Sequence, residues 1–144
     1  MFDIRFIRDE PEPLDEWLGE GAIGLRGRVV IDDLREEFLA QLGVWRREDY
    51  ERHWREAAER IVAGADRTVF FTSAFEFRWT MWRVGDTLRL REHYLSSPGF
   101  PERFDPADIY AHIQDYVPGE PVSEWTIPAD SAAEFLRRAA VAGD

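Results

Sequence analysis

The stretch TVFFTSAFEFRWTMWRVGDTLRLREHYL, residues 68–95, decides the fold class. Its β-branched and aromatic residues divide into three runs of strand length, 68–75, 77–84 and 88–95. Gly85-Asp86 lies between the last two and suits a tight hairpin turn. Strands that follow one another at such short intervals predict an antiparallel meander. Within the middle strand Trp79 and Trp82 stand an odd number of residues apart and so face opposite sides. One faces the core, and the other must be covered by a second layer, a loop or a partner.

Upstream, Phe2, Ile4 and Phe6 alternate with Asp3 and Arg5, a period-two pattern that predicts a first strand. Residues 9–21 are acidic and broken by Pro11, Pro13 and Gly19, hence a loop. Residues 22–31 read as a second strand, Asp32-Asp33 as a turn and 34–42 as a third strand in preference to a short helix. From Arg46 to Val62 the period changes: Tyr50, Trp54, Ala57, Ala58 and Ile61 share one helical face, and Gly64 stops the helix. On its other face Glu48, Glu51 and Glu56 each precede an arginine by four residues, a solvated ladder.

Downstream, Pro98, Pro101, Pro106 and Pro118 predict a long irregular connection with one helical turn near 107–114. Residues 122–127 read as a last strand, after which Pro128 opens a C-terminal helix carrying Ala132, Phe135, Leu136 and Ala139 on one face. The expectation is an α+β fold: a single domain over 1–144, with a single antiparallel sheet of about five to six strands packed against a central helix and a C-terminal helix.

Twenty aromatic residues, six of them Trp, provide enough buried area for a core without disulfides, and the chain has no Cys. A Cys-free chain whose start lacks a signal-peptide pattern is expected in the cytoplasm, with no membrane segment. The net charge is −11, which sets the chain against nucleic acid as a direct partner. Its placement is uneven. Residues 1–20 hold seven acids and two arginines, residues 102–134 eight acids and one arginine, and residues 21–101 thirteen of each. The excess acid therefore belongs to two terminal segments flanking a neutral body.

Catalytic signatures are sparse. Cys and Lys are absent, and no serine sits in a nucleophile elbow. His53, His93 and His112 have no zinc-type spacing, although His53 and Glu56 share a helix face, so no metal or cofactor is expected. Glu76, Asp86 and Glu92 could meet across the meander, where paired carboxylates would serve a hydrolase. A small-molecule pocket between sheet and central helix, lined by Trp79 or Trp82, is a further alternative to protein binding.

Trp45, Asp49, Tyr50 and Trp54, followed by Thr72-Ser73 and then by Trp79, Trp82, Arg83 and Gly85-Asp86, form a pattern over residues 39–92 that resembles the contact-dependent growth inhibition immunity (CdiI-like) proteins. In that pattern a Trp-x-x-x-Asp-Tyr-x-x-Gln-Trp run opens the central helix. This chain departs from it at His53, where the pattern has Gln, and a hydrogen-bonding role could survive the exchange. The resemblance implies a non-enzymatic immunity protein that binds and blocks a bacterial toxin. A toxin that cuts nucleic acid presents a basic cleft, which an acidic partner steers to and occludes. On that reading Trp45, Asp49, Tyr50, Trp54, Ser73, Trp79, Trp82 and Arg83 are scaffold. The candidate toxin-binding residues are Glu10, Glu12, Asp15, Glu16, Asp105, Asp108 and Asp115.

Overall fold

The computed structural model describes residues 1–14, 21–43, 45–73, 77–94, 108–111 and 113–142. Among them β1 (Phe2–Phe6), β2 (Glu12–Pro13), β3 (Ile23–Ile31) and β4 (Leu34–Gln41) build one antiparallel sheet. β3 lies at its centre, with β4 on one side and β1 and β2 sharing the other. After helix α1 (Arg47–Val62), β5 (Arg67–Ser73), β6 (Phe77–Val84), β7 (Thr87–Tyr94) and β8 (Trp125–Pro128) build a second sheet in sequence order. Helix α2 (Ser131–Ala142) follows.

The α+β class and the meander hold, but the single sheet of five to six strands does not: there are two four-stranded sheets. The division falls between β4 and β5. These two strands run beside each other, yet at their junction the Gln41 N–H donates to Ser73 Oγ (3.3 Å). A side chain there takes the place of a backbone partner, and no ladder joins the two strands. Alternation of apolar residues reports which face of a strand is buried and carries no information about which edge is paired.

One core nevertheless joins both sheets and both helices. Phe2 of β1 packs on Phe70 of β5 (ring centroids 4.9 Å) and on Phe135 of α2 (5.4 Å). Trp79 points into the same core and meets Trp125 edge-on at 5.4 Å. Trp82 faces the other side of the second sheet, where the connection after β7 covers it. Its Nε1–H donates to the Gln114 carbonyl (2.9 Å), and Tyr116 stands against its ring at 5.6 Å. Val69, Phe71 and Ile113 complete this second, smaller core.

α1 starts where the Asp49 carboxylate accepts the Arg46 N–H (2.9 Å), with Glu48 and Asp49 favourably placed at the positive end of the helix dipole. It ends before Gly64, whose φ of +110° only glycine adopts without strain. The i to i+4 ladder expected on its outer face forms differently. Arg52 turns back to Asp49 (2.9 Å), Arg47 reaches Glu51 (3.4 Å) and Asp9 (3.0 Å), and Arg60 lies over the Tyr110 ring (4.4 Å). Pro128 ends β8 instead of opening α2; on an edge strand its missing N–H costs no ladder bond. The predicted turn near 107–114 is present as a short bend in which the Ala111 N–H reaches the Asp108 carbonyl (3.1 Å).

Candidate functional site

The helical part of the aromatic motif, Tyr50, His53 and Trp54, lies along the junction of the two sheets. β5 is the edge of its sheet, and an unpaired edge is a template for pairing with other chains. α1 covers it with two adjacent side chains. The Phe71 N–H donates to His53 Nε2 (2.9 Å), and Trp54 Nε1–H donates to the Phe71 carbonyl (2.8 Å). Tyr50 donates to the Gln41 carbonyl at the end of β4 (2.7 Å). Trp45 packs on Tyr50 and on His53, each at 5.1 Å. Farther along, Arg83 donates to the Ile61 carbonyl in the last turn of α1 (2.5 Å), holding the end of β6 to the helix.

His53 shows why the departure from Gln fits. With Nε2 accepting from Phe71, the ring proton sits on Nδ1, which faces the Tyr110 hydroxyl at 3.1 Å. Tyr110 in turn approaches the His53 carbonyl (3.4 Å). A Gln amide can likewise accept through its oxygen and donate through its NH2. Burial holds the His53 imidazole neutral, lowering its pKa to about 3, and raises that of the Tyr110 phenol. His93, between Thr80 Oγ1 (3.1 Å) and the Gln114 amide (3.4 Å), is lowered to about 4 by burial and by Arg78 and Arg91.

Both histidines titrate near 6.5 once unfolded, so from that pH downward the unfolded chain takes up protons that the folded chain refuses. Stability is complete above pH 6.5 and falls on acidification, by up to about 1.4 kcal/mol per pH unit for each histidine. The loss levels off near pH 4 for His93 and near pH 3 for His53. His53→Gln should stay within about 1 kcal/mol of the parent at pH 7 and lose its share of the acid slope. His53→Leu, which leaves the Phe71 N–H unmatched, should cost about 1–3 kcal/mol. Urea titrations at a series of pH values measure all three proteins.

The candidate acids fall into distinct settings. Glu10 and Asp108 are exposed. Glu12 holds Arg26 through both carboxylate oxygens (2.8 and 2.9 Å), and Asp115 pairs with Arg67 (2.5 Å). Asp15, Glu16 and Asp105 lie outside the described residues. Glu12 pairs across β3 toward Gln41 and hence toward the Ser73 end of β5, while Asp115 is tied to Arg67 at the opposite end.

Sequence reasoning missed the acids that build the second face of the second sheet. Arg91, 4% exposed, bridges Glu120 through Nη1 (2.7 Å) and Glu124 through Nε (2.9 Å), and its Nη2 donates to the Val117 carbonyl (2.8 Å). Arg89 adds the Tyr116 hydroxyl (2.9 Å). The alternating arginines of β7, Arg89 and Arg91, are the signal that could have pointed to this clamp.

The other chemistries weighed from sequence find no support here. Asp86 stands in the hairpin turn while Glu92 lies opposite Trp79 near the far end of β7, so the two do not meet, and Glu76 lies outside the described residues. Among the described residues no three of His, Asp and Glu gather as a metal site, and no helix is long and apolar enough to cross a membrane. Trp79 and Trp82 are 1% and 3% exposed and line neither cleft described. A cleft of about 480 Å³ instead opens between β1, α1 and α2, walled by Asp3, Glu48, Glu51, Arg55 and Arg138.

What these features define is a two-sheet α+β scaffold whose Tyr50, His53 and Trp54 hold its own junction. The CdiI N-terminal domain family matches residues 40–135. A chain of the CdiA-CT/CdiI toxin and immunity complex from Enterobacter cloacae has the same fold: 20% sequence identity over 98% of this chain and 99% of that chain, with a TM-score of 0.75. No curated protein matches the chain in sequence. The chain belongs to the CdiI N-terminal domain family, and it is an immunity protein of contact-dependent growth inhibition.

Proposed function

We propose that this immunity protein neutralises its cognate toxin by occupying it, with no catalysis of its own, as a single domain in the cytoplasm. The toxin it fits is one that cuts nucleic acid and so presents a basic surface. The observation that carries this reading is the net charge of −11 on a chain of this family. Such a surface speeds encounter with a basic cleft and repels nucleic acid itself. The related fold in a toxin and immunity complex supports the same mode of action.

The docking surface draws on the acidic segments: Glu10, Glu12, Asp15 and Glu16 from one, and Asp105, Asp108 and Asp115 from the other. Glu10 and Asp108 offer charge most directly, being exposed and outside any ion pair among the described residues, whereas Asp115, also exposed, pairs with Arg67. The test is co-expression with the toxin domain encoded beside this gene, followed by pull-down at low and at high salt. Growth should be protected, and the complex should weaken as salt rises. Absence of both protection and complex would overturn the reading.

A further inference from the structure

The first sheet carries arginines that the described residues match only in part. Arg5 of β1 stands directly opposite Arg28 of β3, a hydrogen-bonded pair whose Cα atoms are about 5.5 Å apart, with both side chains on one face. Like charges so placed destabilise a sheet. Arg5, Arg8 and Arg28, together with Asp9 and Glu37, line an open cleft of about 530 Å³.

Both carboxylates of that cleft are engaged with other arginines: Asp9 with Arg47 (3.0 Å) and Glu37 with Arg26 (3.4 Å), which Glu12 already holds. Arg5 keeps Asp3 at 3.3 Å. Arg8 donates to the neighbouring Ile7 carbonyl (3.0 Å) and forms no ion pair of 4 Å or less among the described residues, though its charge acts on Glu12. Arg28 forms no ion pair among the described residues, and its buried Nε has no hydrogen-bond partner. With 29 acids against 18 arginines in the chain, acid is not scarce. Glu37 stands directly opposite Arg28 on β4 but pairs with Arg26, and Arg5 has Asp3, so the like-charge pair is compensated only in part and the cleft keeps cationic capacity for a partner.

We propose that the Arg5, Arg8 and Arg28 cleft receives a carboxylate side chain of the toxin. The proposal rests on the immunity reading and deepens it by naming a docking point of opposite polarity to the acidic surface. A guanidinium pair grips a carboxylate through parallel, directional bonds. A nucleic-acid backbone fits less well, because Asp9 and Glu37 line the cleft and the net charge of the chain is −11. An acid-accepting cleft beside acid-bearing Glu10 also rejects toxins whose charges are arranged otherwise, which gives specificity as well as attraction.

Calorimetric titration of the purified toxin domain encoded beside this gene tests the cleft. Arg5→Glu combined with Arg28→Glu should weaken binding by about 100-fold or more, whereas Arg137→Glu, an exposed charge reversal on α2, should change it less than about 3-fold. Arg28→Gln should weaken binding by about 10-fold while the melting temperature stays level or rises, since it relieves the Arg5 repulsion. Arg8→Glu, outside the ladder, keeps the test decisive if the double variant does not fold, and should also weaken binding by about 10-fold.

Binding of the folded reversals within about 3-fold of the parent, or an equal loss from Arg137→Glu, would overturn the cleft and leave the immunity reading standing. A parent protein that forms no complex would overturn both. Tight binding of a short single-stranded RNA by the parent, abolished by the same reversals, would assign the cleft to phosphate and overturn the carboxylate.

Discussion

Truncation of Trp54 to alanine is expected to destabilise the protein by about 4 kcal/mol, within the range of about 3–5 found for large aromatic residues removed from a core. Trp54 is 2% exposed and packs against Phe6 (4.9 Å), Phe38 (5.9 Å) and Tyr50 (6.0 Å), so it touches both strands of the first sheet that face α1. Its indole N–H also reaches across to the Phe71 carbonyl of the second sheet (2.8 Å). Trp54→Phe separates the two contributions: it keeps most of the packing, removes the donor and should cost about 1–2 kcal/mol. Urea denaturation followed by circular dichroism measures both. A Trp54→Ala loss below about 1 kcal/mol would show that the junction does not depend on this residue. The alanine variant should also self-associate, because the edge of β5 loses one of its two covers.

That experiment probes what was least legible in the sequence. Strand positions could be read closely because the signal is local to each strand: Phe2–Phe6 followed from period-two alternation and the meander from its β-branched and aromatic runs, while Leu34–Gln41, a strand in the structure, read as a strand only in preference to a short helix. Tyr50, Trp54, Ala57, Ala58 and Ile61 likewise showed the buried face of α1. The division into two sheets was not readable. It depends on Gln41 meeting Ser73 Oγ, and on His53 and Trp54 covering Phe71, and neither contact leaves a periodic trace. Motif residues that look like packing aromatics thus turn out to carry polar contacts as well.

The segment charges say where the acids lie in the chain and not which partners they meet. Counting acids and arginines segment by segment assumes that they neutralise one another locally. Instead Arg67, Arg89 and Arg91 of the neutral body pair with Asp115, Glu124 and Glu120 of the acidic segment. Part of the apparent C-terminal excess is therefore held against the second sheet, and acids of the body such as Glu37, Glu48, Glu56 and Glu59 are left exposed. The arginines at Arg5, Arg8 and Arg28 escaped notice for the converse reason, since an acidic average hides a local basic cleft.

Removing Arg91 should show how firmly that charged segment is held. Its guanidinium is 4% exposed and binds in three directions at once, to Glu120, Glu124 and the Val117 carbonyl, while lying 4.7 Å from the Tyr116 ring and 5.5 Å from that of Trp82. Taking one partner from a buried ion pair costs about 3–5 kcal/mol. Glu120 and Glu124 remain 44% and 22% exposed, so water can relieve part of that cost. Arg91→Ala is therefore expected to cost about 3 kcal/mol and to raise amide hydrogen exchange over residues 113–124 first. Arg91→Lys retains the charge but cannot span three acceptors, and should recover less than half of the loss. Arg91→Met, which leaves two carboxylates free to turn outward, should be milder than alanine because it keeps the side-chain volume over Trp82. If exchange instead rises evenly across both sheets, Arg91 holds the whole fold together and not the segment alone.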